Sequence, residues 1–158
     1  MIQDSGERRE FKTGAVRDIQ EGKGRCDLMP LDVVACLLYE DPVINQIYFF
    51  TEDGNPEHLF CALRFATGGY GYLYENIPDM LLQVSKHFEE GAAKYGECNW
   101  QKGIPVHSYI DSALRHYLKY KREDYDEPHD RAFVWNILCL LWTLRHKPEM
   151  NDLKKETE

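Results

Sequence analysis

The chain has 158 residues, a formal net charge of −8, 43% hydrophobic residues and 13% aromatic residues. This length and composition exclude a disordered protein, and the acidic balance excludes a general nucleic-acid binder, because phosphate backbones require a basic face. No apolar run approaches the ~18 residues of a membrane span, and the N-terminal segment is charged, so we expect a cytoplasmic protein. The five cysteines include no CxxC pair, so we expect reduced thiols.

The hydrophobic periodicity predicts one all-α domain, a helical bundle with an extended N-terminal arm and a small helical insertion. We divide it into an arm (residues 1–30), a first helix (31–42), an insertion (43–78), core helices (79–147) and a tail (148–158). The tail, NDLKKETE at its end, is expected to be frayed.

The arm is polar and rich in glycine, which favours an extended or looped segment. Such an arm is commonly a mobile tail. Arg17 lies next to Asp18, Arg25 lies near Asp27, and glycines flank both places. These features favour the alternative, an arm that docks on the domain and covers a substrate.

Residues 31–40, LDVVACLLYE, predict a short helix after Pro30 that ends before Pro42. The following insertion predicts two short helices, at 43–51 and 56–66, joined by a turn. The alternative for this segment is a β-hairpin, because IYFF has high strand propensity.

Residues 79–95 predict the first core helix, with Asp79 as its N-cap and Gly96 ending it. At 100° per residue Glu89 falls inside the buried arc, while Glu90 points away. A buried carboxylate costs several kcal/mol unless it is paired or binds a cation. Glu89 therefore forms either a salt bridge at the edge of the core or part of a cation site.

Residues 108–121 predict the second core helix, with Ser108 as a cap and His116 facing inward. An inward histidine is either a hydrogen-bonded core residue or a ligand. Asp111 and Arg115 are four residues apart and can pair on the helix flank. If that pair borders a cleft, Arg115 becomes a phosphate contact.

An acidic turn follows, and its carboxylates are either a solvated loop or ligands for a hard divalent cation. They are Glu123, Asp124, Asp126, Glu127 and Asp130.

The last helix starts near Pro128 and is apolar on nearly every side, so it should be the central one. His129, Asn136 and Thr143 recur on one line along it. A buried asparagine must find partners, so Asn136 either fixes helix register or lines a site. In the preceding loop, Asn99 would bind either a ligand or the backbone of its own loop.

Five segments in order resemble a phage-associated family, the N-terminal domain of dATP/dGTP diphosphohydrolase, which is related to MazG-like all-α pyrophosphohydrolases. They are TGAVRD, GKGRCDLMP, FEEGAAKYGECNW, DSALRHYLKY and HDRAFVWN. The resemblance covers about residues 10–42 and 80–145, and residues 43–79 look like an insertion. It implies cleavage of a deoxynucleoside triphosphate between the α and β phosphates, with Mg²⁺ or Mn²⁺ held by carboxylates on adjacent helices.

The resemblance also implies roles for individual residues. The catalytic and metal-binding carboxylates would be Glu89, Glu127 and Asp130. The substrate contacts would be Lys94, Asn99, Arg115, His116, His129 and Asn136, with Arg17 and Arg25 closing over the substrate. Glu127 and Asp130 match the ExxD spacing of MazG-like enzymes, whereas residues 79–95 contain no ExxE.

Other functions are compatible with the same residues. One alternative is a non-catalytic nucleotide-binding module, and another is a structural helical phage protein whose polar groups only fix helix register. In each case we expect a homo-oligomer, such as a dimer, because short helical bundles leave apolar faces exposed. Direct nucleic-acid or membrane binding is not expected, and a phage-encoded protein would act in the host cytoplasm.

Overall fold

The computed structural model describes residues 6–68 and 73–153. Those residues form a small antiparallel hairpin followed by six α-helices, which confirms the predicted all-α bundle with an N-terminal arm and a helical insertion. The elements are β1 (Arg8–Glu10), β2 (Val16–Asp18), α1 (Leu31–Leu37), α2 (Pro42–Asp53), α3 (Glu57–Phe65), α4 (Ile77–Tyr95), α5 (Val106–Lys121) and α6 (His129–His146). The start of the predicted arm (1–5), part of the insertion (69–72) and the end of the predicted tail (154–158) lie outside the described residues.

The last helix, α6, is the centre of the bundle, as its apolar sequence predicted. It packs along α5 on one side, against α4 on another, and it also touches α3. Its buried residues include the predicted line of His129, Asn136 and Thr143. No helix in the described ranges is both long and apolar enough to cross a bilayer.

The insertion is helical, and the hairpin alternative for IYFF is not realised. Asp41 accepts hydrogen bonds from the backbone N–H groups of Val43 and Ile44, and it thereby caps α2. Within IYFF, Ile47 and Phe50 are buried while Phe49 is exposed, which is the period of a helix and not of a strand. A good N-cap followed by proline therefore outweighs the strand propensity of these residues.

The two core helices α4 and α5 start earlier than predicted. Asn76, and not Asp79, caps α4, because its Oδ1 accepts the Asp79 N–H at 2.9 Å. Ser108 is not a cap either, since α5 begins directly after Pro105. In both cases the residue taken as a cap lies within the first turn.

The orientation of α4 also differs from the prediction. Its buried residues are Met80, Val84 and His87, so the buried face is rotated about its axis. As a result Glu89 is exposed, and the prediction that it lies in the buried arc is wrong. Glu90 is instead partly buried, with its Oε1 3.6 Å from a guanidinium nitrogen of Arg131. The physical reason is that α4 packs chiefly on α6, which leaves its flank uncovered along Leu81 and Leu82.

The described part of the N-terminal arm docks on the bundle, which was the alternative to a mobile tail in the sequence analysis. Asn99 binds both backbone groups of Val16, accepting its N–H at 2.9 Å and donating to its carbonyl at 2.8 Å. The buried carboxylate of Asp111 accepts the N–H of Cys26 at 2.6 Å. The arm is therefore held at two places by side chains of the core, at Val16 in the hairpin and at Cys26 after it.

The beginning of the predicted tail is also docked. Asp152 accepts the backbone N–H of His107 at 3.0 Å and pairs with its ring. The prediction of a frayed tail is thus wrong for residues 151–153. The C-terminal segment approaches the hairpin at Gly103, where an added Cβ would lie 2.9 Å from Met150 Sδ and 3.1 Å from Thr13 Cγ2. Glycine is needed there both for this close approach and for a φ of +118°.

Candidate functional site

A cleft of about 670 Å³ lies between the hairpin, α4, α5 and α6. Five basic side chains line it against three acidic ones, so the cleft is positive although the chain carries a net charge of −8. The basic residues are Arg9, Arg17, Lys23, Arg115 and Lys119, and the acidic residues are Asp18, Asp111 and Glu127. A positive cleft in an acidic protein indicates a small anionic ligand and not a nucleic acid.

Arg17 of β2 is the central cation of the cleft. It donates to Asn136 Oδ1 at 2.9 Å and to Ser112 Oγ at 3.2 Å. Its guanidinium also lies over the rings of Tyr109 and Trp135, and burial lowers its pKa. It forms no ion pair with any carboxylate in the described parts of the chain, so its charge is balanced only by neutral oxygens and ring faces.

Arg9 of β1 lies directly opposite Arg17 in the hairpin register. Like charges in such a pair destabilise a hairpin. Burial and the neighbouring Arg17 both lower the Arg9 pKa, and its buried Nε has no hydrogen-bond partner among the described residues. Two desolvated guanidinium groups on one face of the hairpin form a ready site for an anion.

Asp111 and Arg115 connect the cleft to the arm. The predicted pair between them is formed, and it borders the cleft. Arg115 also donates to the carbonyl oxygens of Gly24, at 2.9 Å, and Lys23, at 3.2 Å. Together with the bond from Cys26 to Asp111, these contacts fix the glycine-rich loop so that Lys23 lines the cleft.

The opposite wall of the cleft is aromatic. Phe88 of α4 lies between Trp100 and Trp135, with ring centroids 5.8 and 6.0 Å away, and all three line the cleft. His87 lies beside Trp135, and its buried Nδ1 has no partner among the described residues. Burial, with nearby cations, lowers the His87 pKa to about 3, so the ring is neutral at pH 7. A flat apolar wall with one unused imidazole nitrogen is suited to a heterocyclic base.

At one end of the cleft, three residues place ligand atoms within 4.8 Å of one another and would be able to hold a metal ion. They are His116 of α5, Glu127 of the acidic turn and His129 at the start of α6. Burial, and the neighbouring His129, lower the His116 pKa well below its usual value. Neutral imidazole is the form that binds metals.

Four other predicted substrate contacts serve the protein itself in this structure. Asn136 holds Arg17, and its amide also donates to the carbonyl of Ala132 at 2.8 Å. Asn99 binds the arm and not its own loop. Lys94 pairs with Asp18 at 2.8 Å. Arg25 pairs with Asp27 at 2.6 Å, and neither Lys94 nor Arg25 lines the cleft.

The three carboxylates predicted as metal ligands do not meet in the cleft. Glu127 lines it, whereas Glu89 and Asp130 do not. Asp130 lies near Tyr74, whose pKa is raised by burial and by this carboxylate. Each of the two sequence patterns therefore marks one residue that lines the cleft: Asn136 from the seven-residue line and Glu127 from the ExxD spacing.

Several cleft residues were not singled out from the sequence, notably Arg9, Lys23 and His87. A signal for Arg9 exists in hindsight. The two strands RRE and VRD flank FKTGA, and a tight turn at Gly14 places one arginine of each strand in register. His87 falls three residues after Val84 and four before Gly91, on the face that the rotated helix buries.

Comparison with known proteins settles the family. Residues 70–153, more than half of the chain, match the family model described as dATP/dGTP diphosphohydrolase, N-terminal. The chain belongs to this family. The region matched by the dATP/dGTP diphosphohydrolase model contains α4, α5 and α6, which are the helical walls of the cleft. The segments TGAVRD and GKGRCDLMP, which also suggested the resemblance, precede the matched region, and residues 70–79 of the assumed insertion fall within it. No curated protein and no solved structure matches the chain.

Proposed function

We propose that the protein binds dATP or dGTP in this cleft and hydrolyses it to the monophosphate and pyrophosphate. The observation that carries the proposal is the Arg9–Arg17 pair. Two partly buried arginines lie opposite each other in the hairpin without a carboxylate partner in the described ranges, in a protein of the dATP/dGTP diphosphohydrolase family.

The phosphates would lie against the hairpin. A triphosphate carries about the charge needed to neutralise Arg9, Arg17 and a neighbouring cation such as Lys23 or Lys119. Hydrogen bonds to charged groups contribute about 1.5–3 kcal/mol each, more than neutral ones, because both partners are charged and water is excluded. The loop with Lys23 is already fixed by Arg115, so little ordering is needed on binding.

The base would lie against the aromatic wall. Stacking on an aromatic side chain contributes about 1–3 kcal/mol per base without selecting a particular base. The unused Nδ1 of His87 would then form a hydrogen bond to a ring edge. Because a site that loses such a bond leaves a buried polar atom unpaired, His87 is the residue best placed to favour one base over another.

Mg²⁺ or Mn²⁺ would arrive with the triphosphate, and when bound it polarises a phosphoryl oxygen and neutralises developing charge. The protein's own contribution is to position the phosphates along the hairpin for attack by a water molecule. Of the predicted carboxylates only Glu127 lies where it would act on the substrate. We therefore place Glu127 in the proposed site and leave Glu89 and Asp130 outside it.

A turnover assay tests this function. The eight common ribo- and deoxynucleoside triphosphates are incubated with the protein and Mg²⁺ or Mn²⁺, and the monophosphate and pyrophosphate are quantified. We expect both products in equal amounts from dATP or dGTP, and Glu127→Gln should reduce the rate at least tenfold. Glu89→Gln is the matched control and should retain the rate. No turnover of any nucleotide would refute hydrolysis.

A non-catalytic nucleotide-binding module is the second candidate. It is favoured by the finding that only one of the three predicted carboxylates lines the cleft. Its signature is a rise in melting temperature with dATP or dGTP, which reports binding to the folded state, without release of pyrophosphate.

We also propose that the protein forms a homodimer. Large apolar side chains are exposed on α1 and α4, among them Val33, Leu37 and Leu82 with 59%, 78% and 68% of their surface accessible. Light scattering after gel filtration should give twice the 18.6 kDa chain mass.

The family resemblance further supports a phage or prophage origin, in which case the enzyme would act on the nucleotide pool of the host cell.

A further inference from the structure

Three ligand atoms converge at the end of the cleft with the spacing of a metal site. His116 Nδ1 lies 2.9 Å from His129 Nδ1, and Glu127 Oε1 lies 3.7 Å from the first and 3.6 Å from the second. The point equidistant from the three atoms is therefore about 2 Å from each, which is the usual length of a bond from nitrogen or oxygen to a first-row metal. We infer that His116, Glu127 and His129 bind one first-row transition-metal ion, such as Zn²⁺ or Co²⁺, without any nucleotide.

The backbone holds these three residues in place. His116 lies on α5 and His129 is the first residue of α6, and these two helices pack along each other. Glu127 lies in the turn just before α6, and its carbonyl accepts the N–H of His129 at 2.9 Å. Two packed helices and a hydrogen-bonded turn make a rigid set of ligands, so little conformational entropy is lost when a metal binds.

Asp126 orients the buried ring of His129. Its Oδ1 lies 2.6 Å from His129 Nε2, and an ionised carboxylate can only accept, so Nε2 carries the proton. In that tautomer the lone pair is on Nδ1, the atom that lies 2.9 Å from His116 Nδ1 and 3.6 Å from Glu127 Oε1. A carboxylate that fixes the tautomer of a ligand histidine in this way is a recurring feature of metal sites.

A hydrogen bond between the two histidines is the competing explanation of this geometry. It would account for the 2.9 Å separation of the two Nδ1 atoms. It involves only the two rings, whereas Glu127 Oε1 lies 3.7 and 3.6 Å from the same two Nδ1 atoms. A metal ion accounts for all three atoms at once.

The ligand types select the kind of metal. Mg²⁺ and Ca²⁺ prefer oxygen ligands, whereas imidazole nitrogen is suited to transition metals. This ion would thus be distinct from the Mg²⁺ that accompanies a triphosphate. A second possible group, Asp124, Asp126 and His129, would use His129 Nε2. It is less suitable because Asp124 is paired with Arg122 and Asp126 already accepts the proton of that nitrogen.

Metal binding to the full chain, treated with a chelator and free of nucleotide, tests the inference. Co²⁺ is added alone and followed by its visible absorption, and Zn²⁺ binding is measured by calorimetry. We expect one equivalent to bind, and excess Mg²⁺ should not displace it. His116→Gln and Glu127→Gln should weaken binding at least tenfold, and Asp126→Asn should weaken it about 10–100-fold.

His58→Gln is the matched control, because it removes an imidazole that is also paired with an aspartate but lies on α3, away from the cleft. It should bind the metal as the wild type does. Where His116→Gln fails to fold by circular dichroism, Glu127→Gln and Asp126→Asn decide. The inference is overturned if the wild-type chain binds neither ion, if Mg²⁺ displaces them, or if Glu127→Gln binds with unchanged affinity. Because the assay contains no nucleotide, a failure of the proposed hydrolysis would leave this result unaffected.

Discussion

Replacing Arg9 by glutamine should stabilise the free protein while weakening nucleotide binding. Arg9 and Arg17 are opposite each other in the hairpin, and neither has a carboxylate partner in the described parts of the chain. Removing one of the two charges relieves their repulsion. The same change removes a cation that the triphosphate would contact. The two effects have opposite signs, which an ordinary loss of structure would not produce.

The expected magnitudes follow from this geometry. Cross-strand pairs change stability by about 0.2–1 kcal/mol, and we use this range and not an unscreened Coulomb energy because Arg9 is only half-buried. For a chain of this size that is a rise in melting temperature of up to roughly 4 °C. Loss of a charged hydrogen bond to phosphate costs about 1.5–3 kcal/mol, which is a roughly 10- to 150-fold weaker dissociation constant.

Differential scanning calorimetry of the free protein and isothermal titration with a non-hydrolysable dGTP analogue measure the two effects. Arg8→Gln is the matched control, because Arg8 is the neighbouring residue of the same strand but pairs with Asp18 and does not line the cleft. It should bind the analogue normally and be slightly less stable. If Arg9→Gln binds the analogue as tightly as the wild type, or melts at a lower temperature, the assignment of the hairpin as the phosphate site is wrong.

Three further predictions concern the rest of the cleft. The His87 pKa is lowered from 6.5 to about 3, so the unfolded chain takes up a proton as the pH falls through 6.5 while the folded protein does not. Between pH 7 and pH 5, the free energy of unfolding measured by urea titration should therefore fall by about 2 kcal/mol more for the wild type than for His87→Gln. Equal losses would contradict the buried, neutral state of this ring. Asp111→Asn breaks a buried ion pair and should lower the free energy of unfolding, measured by chemical denaturation, by about 3 kcal/mol. Residues 19–25 should also be cleaved faster by a protease, and an unchanged cleavage rate would show that the arm is held in another way. Trp135→Leu should weaken binding of the dGTP analogue by about 1–3 kcal/mol in the same titration, and an unchanged affinity would exclude stacking on this wall.

The helices were largely predictable because their signals are local. Pro30, Pro42, Gly96 and Pro128 each lie within one residue of a helix end, although α1 ends at Leu37, four residues before the predicted stop at Asp41. The all-round apolar sequence of α6 correctly indicated the central helix. These features depend on backbone sterics and capping, which act over a few residues.

The orientation of α4 was not predictable in the same way. A helix with apolar residues at Leu81, Leu82, Val84 and Phe88 offers more than one plausible buried arc, and the choice is made by what packs against it. Because α4 is covered chiefly by α6, the arc through Val84 and His87 is buried and Glu89 is left outside. A rotation of about one residue therefore removed the carboxylate on which the predicted metal site depended.

The composition of the site depends on long-range pairing, which a single sequence shows poorly. Arg17 and Asn136 are 119 residues apart in the sequence, and Val16 and Asn99 are 83 residues apart. The two asparagines and Arg17 were noticed as unusual, but their partners were unknown, so the contacts that position the arm were not predicted. Arg9 was missed because residues 1–30 were interpreted as an extended or looped arm, without the tight turn at Gly14 that pairs Arg9 with Arg17.

The most direct test of the account is a crystal structure of the protein with a non-hydrolysable dATP or dGTP analogue and Mn²⁺. We expect the triphosphate within hydrogen-bonding distance of both Arg9 and Arg17, and the base against Phe88 and Trp135 with His87 at its edge. A nucleotide bound elsewhere on the molecule, or one in the cleft with its phosphates turned away from the hairpin, would contradict it.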